Sequence, residues 1–426
     1  MYRKKIAAFL AAGIFLFNSA TFAQAEENSV TVDEPFEDVT DKKSQTPSEK
    51  NSHSSTINHT DERDKKEVEE ENFNQNKAPI PVDEPFQEPK IETPSNPEEG
   101  NGLEFLMYNE NGVQAFAVIA AHEQYNLRPI VAQHQIKGRS TVSQMARELN
   151  DIATINAGYF DPDGSLIGVT KINGKIISAD YFTRSAIGIN SDDTTIFGRV
   201  HYVGKITFHG KTVEINGINC SREANRLVVY NDFFSNTTGT NNFGVEIIEH
   251  DGVIIDIARN KGNNFIPKGG HVISAHGTAA ELFADAQIGE EIIFSESIES
   301  EDADFNSAVY VLGAGPRLIR NGRIFVTATD EKFPSDIAVG RAPRSAVGVT
   351  KYGDFIFAVV DGRQAHSRGC TLEEWADILL NKFGAYNAIN LDGGGSTELT
   401  IKDNLVNSPS DGSERPVGSA LTILPK

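Results

Sequence analysis

Apolar residues in this chain come in short runs, and nearly every run is closed by Gly, Asn or Asp. Between residues 115 and 362 the runs "AFAVIAA", "KITFHGKTVEI", "RLVVYN", "GVEIIEHDGVIIDIA", "EEIIFS", "AVYVLGAG" and "DFIFAVVDG" follow one another. Runs of this length, rich in Val and Ile and bounded by turn formers, read as strands and hairpins. Two windows carry a helical period instead. In Thr141–Asn150, Val142, Met145, Ala146 and Leu149 share one face, and in Thr371–Phe383, Leu372, Trp375, Ala376, Leu379 and Phe383 do the same. Each window opens with a capping box, Thr141 with Gln144 and Thr371 with Glu374, and Gly384 is suited to stop the second. The pattern predicts an α+β class of strand-rich mixed sheets with few helices.

These runs begin only after residue 100. Residues 1–25 have the form of a secretory signal: Arg3, Lys4 and Lys5, an apolar stretch from Ile6 to Phe17, then Ala23–Gln24–Ala25 as a small-x-small cleavage site. Residues 26–100 hold 21 acidic and 8 basic side chains and few aliphatics, a composition that cannot bury enough surface to offset the entropy of ordering. They are expected to form an acidic, disordered leader, with "VDEPF" repeated at Val32–Phe36 and Val82–Phe86. The body, 101–426, is then expected to be the functional domain of a secreted, extracellular protein. No later segment is apolar enough to span a membrane, and the formal net charge of −21 argues against nucleic acid, which is bound through clustered Lys and Arg. The two cysteines, Cys220 and Cys370, suit either a disulfide permitted by export or two buried thiols. No Cys/His spacing of a zinc site is present, and the sequence calls for no cofactor and leaves a metal open.

Two pairs of segments echo each other. "RSAIGINSDDTTIFGRV" from Arg184 and "RSAVGVTKYGDFIFAVV" from Arg344 both run Arg-Ser-Ala, strand, turn, strand. "STVSQMARELNDIATINAGYF" and "CTLEEWADILLNKFGAYNAINLDGGG" both run helix, strand, then Asn. An internal duplication around one cleft is expected from them. The second pair ends in the two turns of greatest chemical interest. "LDGGGST", Leu391–Thr397, places one carboxylate and two hydroxyls around three glycines. Such a run offers backbone N–H groups to an oxyanion, or it is a tight hairpin with an Asx turn at Asp392. "NAGYF" places Asn156 and Gly158 where a sugar hydroxyl would be bonded and Tyr159 or Phe160 where a sugar face would stack, or it simply ends a strand. Arg184 and Arg344 have the fork that suits phosphate or a carboxylate of the fold. Asp361 and Arg363 close the strand "FAVVDGR".

The text "PRSAVGV…FAVVDGR…GCTLEEWADILLNKFGAYNAINLDGGGST" resembles the phosphodiester glycosidase family, and "SPSDGSERPVGSALTI", "NAGYF", "RSAIGI", "PKGGHVISAHG" and "GAGPRLIRNG" extend the resemblance over most of 101–426. The resemblance implies hydrolysis of the bond between a sugar anomeric carbon and a phosphate, on a phosphodiester-linked glycan of cell wall, capsule or exopolysaccharide. It implies Asp392 as the carboxylate beside C1, with Asp361 second, and Asn156, Gly158, Arg184, Arg344, Arg363, Gly393, Gly394, Ser396 and Thr397 as substrate-binding residues. Glu398 falls where no acid is characteristic of the family and is left outside this set. A P–O-cleaving phosphodiesterase or a non-catalytic glycan-binding module would use the same residue types.

Overall fold

Strand pairing brings the two candidate turns together from opposite sheets. A computed structural model describes residues 102–426, apart from Asn150 and Asp403; the expected signal, the acidic leader and its "VDEPF" repeat lie outside the described residues. One seven-stranded sheet runs in the order Leu103–Glu110, Val113–Ala120, Phe355–Val360, Arg344–Val349, Asn387–Asn390, Arg317–Arg320, Arg323–Ile324. A five-stranded sheet runs Asn404–Leu405, Leu399–Ile401, Ala153–Asn156, Ser419–Pro425, Tyr125–Val131. Their inner faces meet in one core: Val118, Val347, Phe357, Val359 and Ile389 from the first, Leu127, Ile155, Leu399, Leu421 and Ile423 from the second.

The two helices predicted from the 3.6-residue period cover the outer faces. Leu372–Asn381 buries Leu372, Trp375, Ala376 and Leu379 against Ala115, Ala346, Ala358 and Val360 of the seven-stranded sheet. Small residues on that face let the helix approach closely, so Trp375 is fully buried; its loss to alanine would cost about 3–5 kcal/mol. Val142–Leu149 buries Val142 and Met145 against Ala420 and Val417, while Leu149 is exposed. Both capping boxes are formed. Thr371 Oγ accepts from the Glu374 N–H at 3.2 Å and Glu374 accepts from the Thr371 N–H at 3.0 Å; the Thr141–Gln144 pair does the same at 3.2 and 3.1 Å. Gly384 takes the left-handed φ of +68° that ends the second helix.

Two further sheets enclose a second core. Arg184–Ile189 and the long strand Thr195–Phe208 belong to one, and Leu227–Tyr230, Val245–His250 and His271–Ala275 to the other. The two-residue period of Arg184–Ile189 sends Ala186 into this core and Ile187 and Ile189 into the first. The fold is therefore strand-rich with few helices, as expected, but its ladders among the described residues are antiparallel except for Gly217–Ile218 against Leu227–Tyr230. The two "RSA" hairpins match in register: Arg184 pairs with Val200 as Arg344 pairs with Val360, and Ile189 with Thr195 as Val349 with Phe355. No helix among the described residues is long and apolar enough to cross a membrane. Cys220 and Cys370 are both free thiols.

Candidate functional site

Asn156 ends its strand at the point where the chain leaves Asn387–Asn390, and its side chain fixes the turn that follows. Its Nδ2 donates to the Asp392 carbonyl at 2.7 Å, and its Oδ1 accepts from Ser345 Oγ at 2.6 Å and the Glu398 N–H at 3.2 Å. Asn156 is 0% exposed. Fully buried behind the turn, it cannot reach a sugar hydroxyl, so the expected substrate contact gives way to a clamp on the Asp392 loop. Gly158 is likewise internal. Its N–H donates to Ser419 Oγ at 3.1 Å, and a Cβ there would lie 3.0 Å from the Gly313 carbonyl.

Asp392 is half-buried. Its Oδ1 accepts from the Gly393 N–H at 2.9 Å, and its own N–H donates to the Ala157 carbonyl at 2.9 Å. Burial pushes its carboxyl up to about 6, against the Ser396 hydroxyl, the Gly393 N–H and the Arg415 charge, which pull it down. It is thus mostly ionised at neutral pH in a partly desolvated position. Tyr159 stands beside it: burial raises the phenol first and the Asp392 charge second. The Tyr159 hydroxyl donates to the Gly315 carbonyl at 3.0 Å and accepts from Asn390 Nδ2 at 3.2 Å.

The glycine run is not an open row of donors. The N–H of Gly393 is spent on Asp392, that of Gly394 on the Pro343 carbonyl, and those of Ser396 and Thr397 on the carbonyls of Gly393 and Gly394. What approaches the loop is side chain. A Cβ on Gly394, which sits at φ +62°, would lie 3.2 Å from Arg363 Nη1, and one on Gly395 would lie 2.0 Å from Arg415 Nη2. Arg415 is held by Asp411 at 2.9 Å from Nε, with Nη1 3.4 Å from Ser396 Oγ. Arg363 is exposed, has a left-handed backbone at φ 60°, and makes no hydrogen bond or ion pair among the described residues. An uncommitted guanidinium over a glycine two residues from a half-buried carboxylate suits a phosphate oxygen next to a developing cation.

The other expected residues take supporting positions. Arg344, predicted to grip phosphate, is buried and spends its guanidinium on the carbonyls of Cys370 at 3.2 Å, Ile337 at 3.1 Å and Gly340 at 2.5 Å. It braces the loop that carries Pro343. Asp361 is buried and accepts from the Ser408 N–H at 2.9 Å and Asn407 Nδ2 at 3.3 Å, with His366 Nε2 3.1 Å from Oδ2. Asn407 also donates to the Thr397 carbonyl at 2.9 Å, so Asp361 steadies the loop from behind. Arg184 is half-buried, with Nε 3.2 Å from the Glu331 carbonyl and its guanidinium stacked 4.0 Å over Phe333. It lines a small pocket together with Tyr159.

Glu398, set aside in the sequence reading, is fully buried next to this loop. Its Oε1 accepts from the Arg415 N–H, and its Oε2 has no partner. Burial first, and the Glu414 charge, push it up to about 8. An acid directly before the strand Leu399–Ile401, in the otherwise uncharged text "TELTI", is the signal for it. Among the described residues no three His, Cys, Asp or Glu side chains converge as a metal site. A larger cleft of about 920 Å³, lined by Arg199, His201 and the acidic stretch Glu299–Asp304, contains none of the expected residues.

The family model described as phosphodiester glycosidase matches residues 225–424. The chain is 33% identical over 161 residues to bovine N-acetylglucosamine-1-phosphodiester alpha-N-acetylglucosaminidase, covering 35% of this chain and 29% of that enzyme. It is 40% identical over 81 residues to an uncharacterized SPbeta prophage-derived protein of Bacillus subtilis, covering 19% of this chain and 12% of that protein. It thus spans less than a third of the length of these relatives. The crystal structure of a hypothetical protein from Synechocystis superposes with a TM-score of 0.65 at 25% identity, over 76% of this chain and 62% of that one.

Proposed function

With residues 225–424 in the phosphodiester glycosidase family, we propose that this chain is a secreted hydrolase that cleaves the anomeric C–O bond of a sugar-1-phosphodiester, such as an N-acetylglucosamine-1-phosphodiester, in a cell-wall, capsular or extracellular glycan. The observation that carries the reading is the uncommitted Arg363 guanidinium over Gly394, one turn of chain from the Asp392 carboxylate. Water adds to C1, the C1–O bond breaks, its electron pair leaves on the phosphate oxygen, and the water's proton passes to solvent. Asp392, ionised above about pH 6, stabilises the positive charge that grows at C1. Arg363 neutralises the phosphate, an already acidic leaving group that needs charge compensation more than a proton. Asn156, Arg344, Asp361, Ser396 and Thr397 hold the loop. The matched "RSA" hairpins support an ancient duplication, with Arg184 and Arg344 as its counterparts. The catalytic role is proposed for residues 101–426, and none for residues 26–100.

Turnover of a chromogenic sugar-1-phosphodiester in heavy-oxygen water tests this. Label in the released sugar is the expected result. Label in the phosphate would mean P–O cleavage, and no turnover on any such ester would leave only a glycan-binding module.

A further inference from the structure

Exposed aromatic side chains stand near Tyr159, the neighbour of Asp392. Tyr159, beside Asp392, lines a narrow pocket with Arg184, Phe182, Tyr181 and Asp180. Asp180 and Tyr181 also line a cleft of about 360 Å³, within the size range of ligand sites. Tyr181 is 70% exposed and Phe182 49%. Tyr181 at the lip of this cleft and Phe182 next to it, whose ring also faces the Arg184 guanidinium at 5.1 Å, leave much of their apolar surface in water. They are well placed to carry the apolar face of a sugar ring.

We propose that this cleft binds uncharged sugar units extending from the scissile sugar, so that the substrate is an oligosaccharide bearing its phosphodiester at the reducing end. The inference rests on the reading of Asp392 and Arg363 given above and fixes the direction in which substrate lies across them.

Charge sets that direction. The cleft lining holds four carboxylates, Asp161, Asp163, Asp180 and Glu223, against one guanidinium, Arg226. Lys137 offsets Asp163 at 2.9 Å, and His201 lies 2.9 Å from Asp180. A chain of repeated phosphates would be repelled from such a wall. Sugar hydroxyls are donors that suit carboxylate oxygens. Asn216 adds a fixed amide: its Oδ1 accepts from the Leu227 N–H at 2.8 Å, which leaves its Nδ2 without a partner among the described residues. Such a wall suits neutral sugars, while the uncommitted Arg363 suits the phosphate.

The test compares an N-acetylglucosamine-1-phosphodiester with the corresponding chitotriose-1-phosphodiester on the full-length protein, and measures binding of unmodified chitotriose by calorimetry. The longer ester is expected to have the higher kcat/KM, through KM. Tyr181→Ala should erase roughly three- to tenfold of that gain, the worth of one stacked ring, and leave the short ester unchanged. Glu223→Gln serves as the second variant, should Tyr181→Ala lower the melting temperature. Equal kcat/KM for the two esters with no chitotriose binding would overturn the proposal, as would tighter binding of poly(glycerol phosphate) than of chitotriose. If neither ester is cleaved, the hydrolytic reading falls while chitotriose binding, and its loss in Tyr181→Ala, still decides the cleft.

Discussion

Replacing Asp392 with Asn separates a catalytic carboxylate from a structural turn by the sign of its effect on stability. The substitution keeps the shape of the side chain and an oxygen to accept the Gly393 N–H now held at 2.9 Å. It leaves untouched the backbone bonds from Asn156 Nδ2 and to the Ala157 carbonyl. What it removes is charge. Burial raises the carboxyl from its ordinary 3.8 to about 6, so the folded state holds the proton more tightly than the unfolded chain does. The associated stability is fully present below about pH 3.8 and is lost as the pH rises through about 6. Ionisation at neutral pH therefore costs the fold up to ~3 kcal/mol. Asp392→Asn is free of that cost, and its melting temperature at pH 7 should equal or exceed that of the unmodified protein. Its kcat should fall by about a hundredfold or more, the scale of losing one preorganised electrostatic group. The acid limb of the kcat/KM profile, expected near pH 6, should disappear with it. Melts from pH 4 to 8, paired with kinetics on a chromogenic sugar-1-phosphodiester, read both quantities. A lower melting temperature with full turnover per folded molecule would refute the argument and leave the loop as a hairpin.

Arg363→Lys should leave the melting temperature unchanged and lower kcat/KM by about 10–100-fold, the loss of one charged hydrogen bond, whereas Arg344→Lys should destabilise by ~2 kcal/mol or more, because a buried fork now serves three carbonyls; assays and melts on both distinguish them. Gly394→Ala places a Cβ at φ +62° and 3.2 Å from Arg363, so it should cost about 1–2 kcal/mol in a denaturant titration and weaken substrate binding as the guanidinium is displaced. Glu398, pushed up to about 8, makes the protein lose stability as the pH rises between about 4.5 and 8, by at most ~1.4 kcal/mol per pH unit; Glu398→Gln should flatten that dependence in melts across the range. A chain starting at Asn101 should unfold cooperatively and keep full activity, since residues 26–100 lack core-forming side chains.

The elements were legible because their signals are local. The capping boxes at Thr141 and Thr371, the buried face from Leu372 to Leu379, and the hairpins beginning at Arg184 and Arg344 each depend on residues close in sequence. The arrangement of the site was not legible, because it depends on which polar groups the fold consumes. Arg344 and Arg363 are equally good phosphate ligands as text. Arg344 opens a strand within reach of the carbonyls of Cys370, Ile337 and Gly340, while Arg363 lies beyond a strand end with nothing to bond among the described residues. Asn156 is suited to a sugar by type, yet it is buried at the end of its strand and spends its side chain on Asp392, Ser345 and Glu398. Glu398 carries the plainer signal, an acid directly before the strand Leu399–Ile401, although no acid is characteristic of the family there.

The three glycines illustrate how local and distant constraints combine. Each is small for a different neighbour: Gly393 for the Pro343 carbonyl, 2.8 Å from where a Cβ would sit, Gly394 for Arg363, and Gly395 for Arg415. Those neighbours come from three separate segments, before the strand Arg344–Val349, after the strand Phe355–Val360, and from the stretch leading to Ser419–Pro425. Sequence alone establishes that something must come close to this backbone. It does not reveal that the protein's own guanidinium groups fill most of that space. Two of the three approaches are closed by internal bonds, Pro343 to the Gly394 N–H and Arg415 to Asp411. Only Arg363 brings charge to the loop without a partner of its own. The loop's permissiveness is thus mainly structural, and its capacity for an anion is concentrated at one side chain. That is why Arg363, more than any glycine of the run, should control recognition of the phosphate.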